Sequence, residues 1–160
     1  MSGLPPIAGD ESLLGGPTIF DRILAGEAPA SFVYRSDRVA AFMDIQPVNP
    51  GHVLVVPVKS VRFIHELDDK DSAQLFLVAR QVAAALRTSE LPCEGVNLFV
   101  ADGVAAGQEV GHVHLHVFPR FKGDSFGLKF AERYFTLPPR EQLDQAAEQI
   151  RRSLEKWAEE

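Results

Sequence analysis

The chain is poor in soft and redox-active side chains, with one cysteine, one tryptophan and two methionines in 160 residues. Cys93 by itself can form neither an internal disulfide nor a multi-thiolate metal site, so a disulfide framework is excluded and a reducing compartment is expected. Long apolar runs are missing too. None approaches the ~20 residues that span a bilayer, which leaves a membrane role unsupported. The opening Met1-Ser2-Gly3-Leu4-Pro5-Pro6 has neither the basic nor the apolar part of a secretory leader, and a cytoplasmic protein is expected. Basic charge is scarce: 16 Lys and Arg stand against 22 Asp and Glu, a formal net charge of −6. That balance argues against a nonspecific grip on nucleic acid, which depends on phosphate neutralisation. Small anions stay open, because a few donors converging in a pocket suffice.

What is present is a single well-organised domain's worth of apolar sequence, 46% of residues. Residues 1–17 are rich in Gly, Pro and Ser and read as a loose tail. Thr18 has the position of an N-cap, with Ile19, Phe20, Ile23 and Leu24 at helical spacing and Gly26 as the stop. Two strand-like runs, 31–35 and 39–43, flank the polar Ser36-Asp37-Arg38 turn and predict a hairpin. After the Pro47, Asn49, Pro50, Gly51 loop, residues 52–56 are almost wholly apolar and predict a central strand. A long helix is expected from Asp69, with Leu75, Val78, Ala79, Val82 and Leu86 on one stripe. Residues 95–100 read as a further strand. A second long helix, 139–157, aligns Leu143, Ala147, Ile150, Leu154 and Trp157. Hairpin-compatible links between short strands predict an α+β fold, an antiparallel sheet of about five strands covered by helices, rather than a doubly wound parallel sheet. The expected organisation is a tail 1–17, a domain 18–125 and an extension 126–160 whose helix packs on the domain or on a second copy.

The chemistry concentrates in Gly111-His112-Val113-His114-Leu115-His116-Val117-Phe118-Pro119-Arg120, which holds three of the five histidines. Successive side chains of a strand point to opposite faces, so a strand here puts His112, His114 and His116 on one face and Val113, Leu115 and Val117 on the other. A solvated histidine face or a tag would have no reason to interleave valine and leucine. Two chemistries suit such a row. Neutral imidazoles can hold zinc beside an open water position. Alternatively, one imidazole, oriented through its far nitrogen, can attack phosphorus while its neighbours donate hydrogen bonds to phosphoryl oxygens.

The flanking sequence resembles the histidine-triad (HIT) family of nucleotide hydrolases and transferases. The resemblance runs through Thr18-Ile19-Phe20-Asp21-Arg22-Ile23-Leu24-Ala25-Gly26-Glu27, Phe42-Met43-Asp44-Ile45-Gln46-Pro47, Pro50-Gly51-His52-Val53-Leu54-Val55-Val56-Pro57, Asp102-Gly103 and Gly107-Gln108-Glu109-Val110-Gly111 into the histidines, from residue 18 to about 120. The tail Phe118-Pro119-Arg120-Phe121-Lys122-Gly123-Asp124 is similar to the fragile-histidine-triad and bacterial dinucleoside polyphosphate hydrolase branch. The N-terminal segment is nearer the phosphoramidase branch.

The resemblance implies that His114 is the nucleophile at the α-phosphate, with a nucleotidyl-histidine intermediate and release of a purine mononucleotide. It implies that His112 and His116 orient it and meet phosphate oxygens, and that His52 is the fourth family histidine. Apolar flanks alone would make His52 an ordinary buried histidine. His65 matches no family position. Asp44 corresponds to the ribose-binding carboxylate, whose two oxygens suit vicinal hydroxyls. Ile19, Phe20, Ile23, Phe42 and Ile45 correspond to the base slot, and the Gly107, Gln108, Glu109, Val110 loop to backbone donors for phosphate. Glu109 departs from a hydroxyl residue and Ala101 from an amide. Thr18 and Asp21 stand where some members carry the thiols of a zinc clip, so no metal site is expected there. Members that transfer nucleotidyl groups have glutamine at the last triad position, and the retained His116 favours hydrolysis. Arg120, Lys122 and Lys129 are either partners for distal phosphates or an ordinary solvated basic cluster. The implied protein is a homodimer acting on dinucleoside polyphosphates or nucleoside phosphoramidates, with no required cofactor, though magnesium can accompany the substrate. A nucleotide-binding adaptor or sensor with negligible turnover is the alternative, and a zinc-dependent hydrolase the third.

Overall fold

A computed structural model describes residues 15–158 and divides the chain into two compact units, Met1–Ser125 and Phe126–Glu160. Most of the expected tail, residues 1–14, lies outside the described residues.

Helix α1, Ile19–Leu24, opens the first unit. Its start is written locally: the Asp21 backbone N–H donates to Thr18 Oγ1 at 3.2 Å, and Asp21 Oδ2 accepts the Thr18 backbone N–H at 2.6 Å. This reciprocal capping box satisfies donors that a helix start leaves without partners. Then come strands β1, Phe32–Arg35, β2, Val39–Met43, and β3, Val53–Pro57. Helix α2, Asp69–Thr88, is followed by β4, Gly95–Val100, and β5, Leu115–Arg120. The five strands form one sheet in the order β1-β2-β3-β5-β4, antiparallel at every pairing. The α+β antiparallel sheet with helices is therefore the architecture of the chain.

The two faces of the sheet bury different clusters, as the two-residue period of the strands requires. Val39, Ala41, Val53, Val55, Val113, Leu115 and Val117 pack against Leu75, Val78, Ala79 and Leu86 of α2. On the other face Ala40, Phe42, Leu54 and Val56 meet Phe20 and Ile23 of α1. β3 is central and buried at all five positions. Arg38, in the β1–β2 turn, donates to the buried Asp71 near the start of α2 at 2.6 Å, anchoring that helix.

In the second unit, helix α3, Arg140–Trp157, has Pro139 as N-cap residue and none of its residues is buried. Its Glu148 accepts from both Arg151 and Arg152. Leu143, Ile150, Leu154 and Trp157 form an exposed apolar stripe.

Candidate functional site

The expected strand of three histidines is shorter than the alternation suggested. β5 begins only at Leu115, so His116 alone of the three lies in it. The preceding stretch lies off the ladder, its polar groups bonded elsewhere. Val113 N–H donates to Val61 O at 2.8 Å, and the His112 carbonyl accepts from the His114 ring at 2.7 Å. The alternation itself persists: Val113 is in the α2-side core, while the Phe20 ring lies 5.9 Å from His112 and 5.1 Å from His114.

Main-chain partners decide the protonation of each ring, since a carbonyl can only accept and an N–H can only donate. His112, fully buried, donates from Nε2 to Pro57 O at 2.8 Å. His114 donates from Nδ1 to His112 O, so in its neutral form Nε2 carries the free lone pair. His52, immediately before β3, accepts the Val48 N–H at Nδ1 at 3.0 Å, so its proton resides on Nε2. That Nε2 is 2.9 Å from His116 Nδ1, which must accept and leaves the His116 proton on Nε2. The two inner rings are thus oriented to present one bare nitrogen, on His114, and one N–H, on His116.

Burial disfavours the charged forms of His52, His114 and His116. His114 lies below its ordinary 6.5, chiefly through burial, with the neighbouring His112 pushing the same way and its hydrogen bond to the His112 carbonyl opposing. His116 is depressed to about 3 by burial, with His114 and His52 adding to the effect. Burial also lowers His52, against the opposing charge of Asp44.

Asp44 closes the group. Its Oδ1 accepts the Gln46 N–H at 2.8 Å, and Oδ2 lies 3.5 Å from His52 Nε2 and 3.9 Å from His116 Nδ1. Among the described residues, Asp44, His52 and His116 are the set that brings one donor atom each within 4.8 Å of the others; the triad rings do not converge in that way. A metal ion in this set would have to displace the His52 Nε2 proton while Val48 still holds Nδ1, so the trio as built fits proton handling rather than an ion. At the zinc-clip positions the donors are oxygens. Thr18 Oγ1 donates to Asp21 Oδ2 at 2.9 Å, and Asp21 Oδ1 and Ser60 Oγ lie 3.5 Å and 3.4 Å from His112 Nδ1. Burial alone would raise the Asp21 carboxyl, but the hydrogen bonds from Thr18 and Ser60 outweigh it and hold the group below its usual range.

The base-slot residues separate into two kinds. Phe20, Ile23 and Phe42 are core, whereas Ile19 is 47% and Ile45 94% exposed. The loop residues also differ. The Gln108 side chain is buried and engaged within the fold, accepting from Gly103 N–H at 2.7 Å and donating to Arg62 O and Val110 O. Gly107 adopts φ +88°, a conformation open to glycine. Glu109 is exposed, Val110 half-buried against the α1-side core. His65 stacks on Phe63.

The Arg120 side chain is engaged within the fold. It grips Asp124 through Nε at 2.6 Å and a second nitrogen at 2.9 Å, and donates to Asn97 at 2.7 Å. Lys122 and Lys129 remain exposed. Two residues that sequence reasoning passed over, Asn49 and Asp124, are tied into this network. Their polar side chains within Asn49-Pro50-Gly51 and Gly123-Asp124 were the available signal.

A family model described as the HIT domain matches residues 25–123. An uncharacterised HIT-like protein of Borreliella burgdorferi is 42% identical over 112 residues, which are 69% of this chain and 81% of the relative. The crystal structure of a HIT family member from Bacillus subtilis superposes with a TM-score of 0.76 at 35% identity, covering 86% of this chain and 96% of that one. A histidine triad nucleotide-binding protein from Candida albicans gives 0.76 at 26% identity, covering 88% and 99%. With the triad, its fourth histidine and the sheet that carries them already accounted for, these likenesses lead to one statement: the chain belongs to the HIT domain family.

Proposed function

We propose that the protein is a hydrolase that cleaves at the α-phosphate of a dinucleoside polyphosphate or a nucleoside phosphoramidate and releases a purine mononucleotide. The observation that carries this reading is the 2.7 Å bond from His114 Nδ1 to the His112 carbonyl, which leaves Nε2 as a neutral nucleophile. His114 Nε2 attacks phosphorus and forms an N–P bond, while the bond from phosphorus to the leaving oxygen or nitrogen breaks. The leaving oxygen or nitrogen accepts a hydrogen bond from the Nε2–H of His116, a ring kept neutral by a pKa depressed to about 3, and takes its proton from water. A second water then attacks the nucleotidyl-histidine; its oxygen bonds phosphorus as the N–P bond breaks, its proton neutralises the hydroxide left by the first step, and His114 is restored.

Asp44 takes the ribose hydroxyls, and Ile19 and Ile45 cover the base from the exposed side. Positioning and charge complementarity carry most of the acceleration. The family's members are generally nucleotide-binding hydrolases or adaptors, which supports the nucleotide part of the proposal. We further propose a homodimer that buries the outer edge of β4 and part of α2, where Leu98, Phe99 and Phe76 are exposed. A cytoplasmic setting suits the lone cysteine; no helix among the described residues is long and apolar enough to cross a membrane.

Single-turnover quench into alkali, with label at the α-phosphate, tests the chemistry. We expect label on His114 that appears before free mononucleotide and is absent from His114→Ala. Bound nucleotide without such an intermediate or turnover would make the protein a binding adaptor.

A further inference from the structure

The proton on His116 is placed by His52, and His52 is placed by a loop whose hold on the sheet runs through one buried amide. Asn49 is buried and its Nδ2 donates both protons, to Pro119 O in β5 at 2.9 Å and to Asp124 Oδ2 at 2.8 Å. Both partners are acceptors, which fixes the orientation of the amide. Asp124 is itself held by the bidentate grip of Arg120. Within the loop, the Asn49 carbonyl accepts the His52 backbone N–H at 3.1 Å, and Asp44 N–H donates to His52 O at 3.0 Å. The residue preceding Asn49, Val48, supplies the N–H that occupies His52 Nδ1. Gly51 completes the turn at φ +102°, where a Cβ would come within 2.9 Å of Leu91 and 3.0 Å of Leu86.

We propose that Asn49 is a positioning residue that selects the tautomer of His52 and, through it, the ring nitrogen of His116 that bears the proton. Without the clamp to Pro119 and Asp124, the loop is free to shift and Val48 N–H loses its fixed aim at Nδ1. His52 then samples the opposite tautomer, in which its Nε2 accepts instead of donating, and His116 turns its proton inward toward His52. His112 and His114 are fixed by main-chain carbonyls outside the loop and stay as they are. The catalytic consequence rests on the reading of His116 as hydrogen-bond donor to the leaving group; the tautomer itself does not.

The test uses the full-length protein labelled with 15N-histidine, in long-range proton–nitrogen correlation spectra at neutral pH. The wild type should show an unprotonated Nδ1 and a protonated Nε2 on His52. In Asn49→Ala the two His52 nitrogens should move toward a common averaged shift, with His116 following and His112 and His114 unchanged. Turnover of a substrate with a weakly acidic leaving group should fall about tenfold in kcat with KM unchanged, and the loss should vanish with a nitrophenyl leaving group that needs no proton. A His52 tautomer that is unaltered in Asn49→Ala overturns the proposal. An altered tautomer with turnover unaffected upholds it and refutes His116 as the donor. Should the alanine variant not fold, Asn49→Ser and the wild type serve. Absence of a scalar coupling from the Val48 amide nitrogen to His52 Nδ1 in the wild type also overturns it.

Discussion

The four site histidines divide into two pairs held by different means. His112 and His114 each donate to a main-chain carbonyl of the β3 to β5 region. His52 and His116 hold each other, and only one main-chain N–H, from a loop, orients the pair. The first pair is therefore as rigid as the sheet, and the second as firm as a loop and its clamp. A nucleophile needs an invariant lone pair, whereas a hydrogen-bond donor to a departing group must follow that group as its bond breaks. In the proposed mechanism the rigid support falls to the first task and the adjustable one to the second.

Removing a member of each pair should separate the two roles most sharply. His114→Ala is expected to lower kcat by roughly 10⁴-fold or more whatever the leaving group, as loss of a covalent nucleophile does. His116→Ala should cost roughly 10²–10⁴-fold with a weakly acidic leaving group and far less with a nitrophenyl one. Steady-state rates across a series of leaving groups check both, and equal sensitivity in the two variants would erase the distinction between the pairs.

Next in size is the effect of pH. His52, His114 and His116 are all held below 6.5 in the folded chain, His116 down to about 3. The unfolded chain therefore binds protons that the native one refuses, and stability should be at its full value above pH 6.5 and be lost as pH falls toward about 3. Melting curves through that window should show the decline, and His116→Ala should flatten it. The acid limb of kcat/KM should likewise lie below 6.5, because the His114 lone pair persists there.

The smallest expected effect tests the support rather than the rings. Thr18→Ala removes the α1 cap and one hydrogen bond to Asp21, and should cost about 1 kcal/mol of stability. Denaturant titration measures it. With the first pair held by carbonyls, the variant should retain kcat.

Local rules carried much of the fold. The Thr18 cap, the hairpin about Ser36-Asp37-Arg38, the apolar run of β3 and the stripe of α2 all follow from periodicity and capping within a few residues. The alternation of His112 to His116 likewise foretold which face each ring takes. It did not foretell that the ladder starts at Leu115, because the competitor is a bond from a ring to its own chain's carbonyl, and spacing is blind to ring nitrogens. Asn49 escaped notice for a different reason. Its partners lie 70 and 75 residues away, so its neighbourhood shows a polar turn residue without showing what that residue binds. The pairing of Arg120 with Asp124 spans only four residues, yet neither sequence reading of Arg120, as a partner for distal phosphates or as part of a solvated basic cluster, anticipated it.

The contrast between Phe20 and Phe42, which are core, and Ile19 and Ile45, which face outward, has a consequence for how such a protein diversifies. If the nucleobase lies against the outer isoleucines as proposed, its preference can drift by exchange of two surface side chains at little expense to folding. New purine analogues then become accessible to selection while the phosphorus chemistry, rooted in the sheet, stays constant.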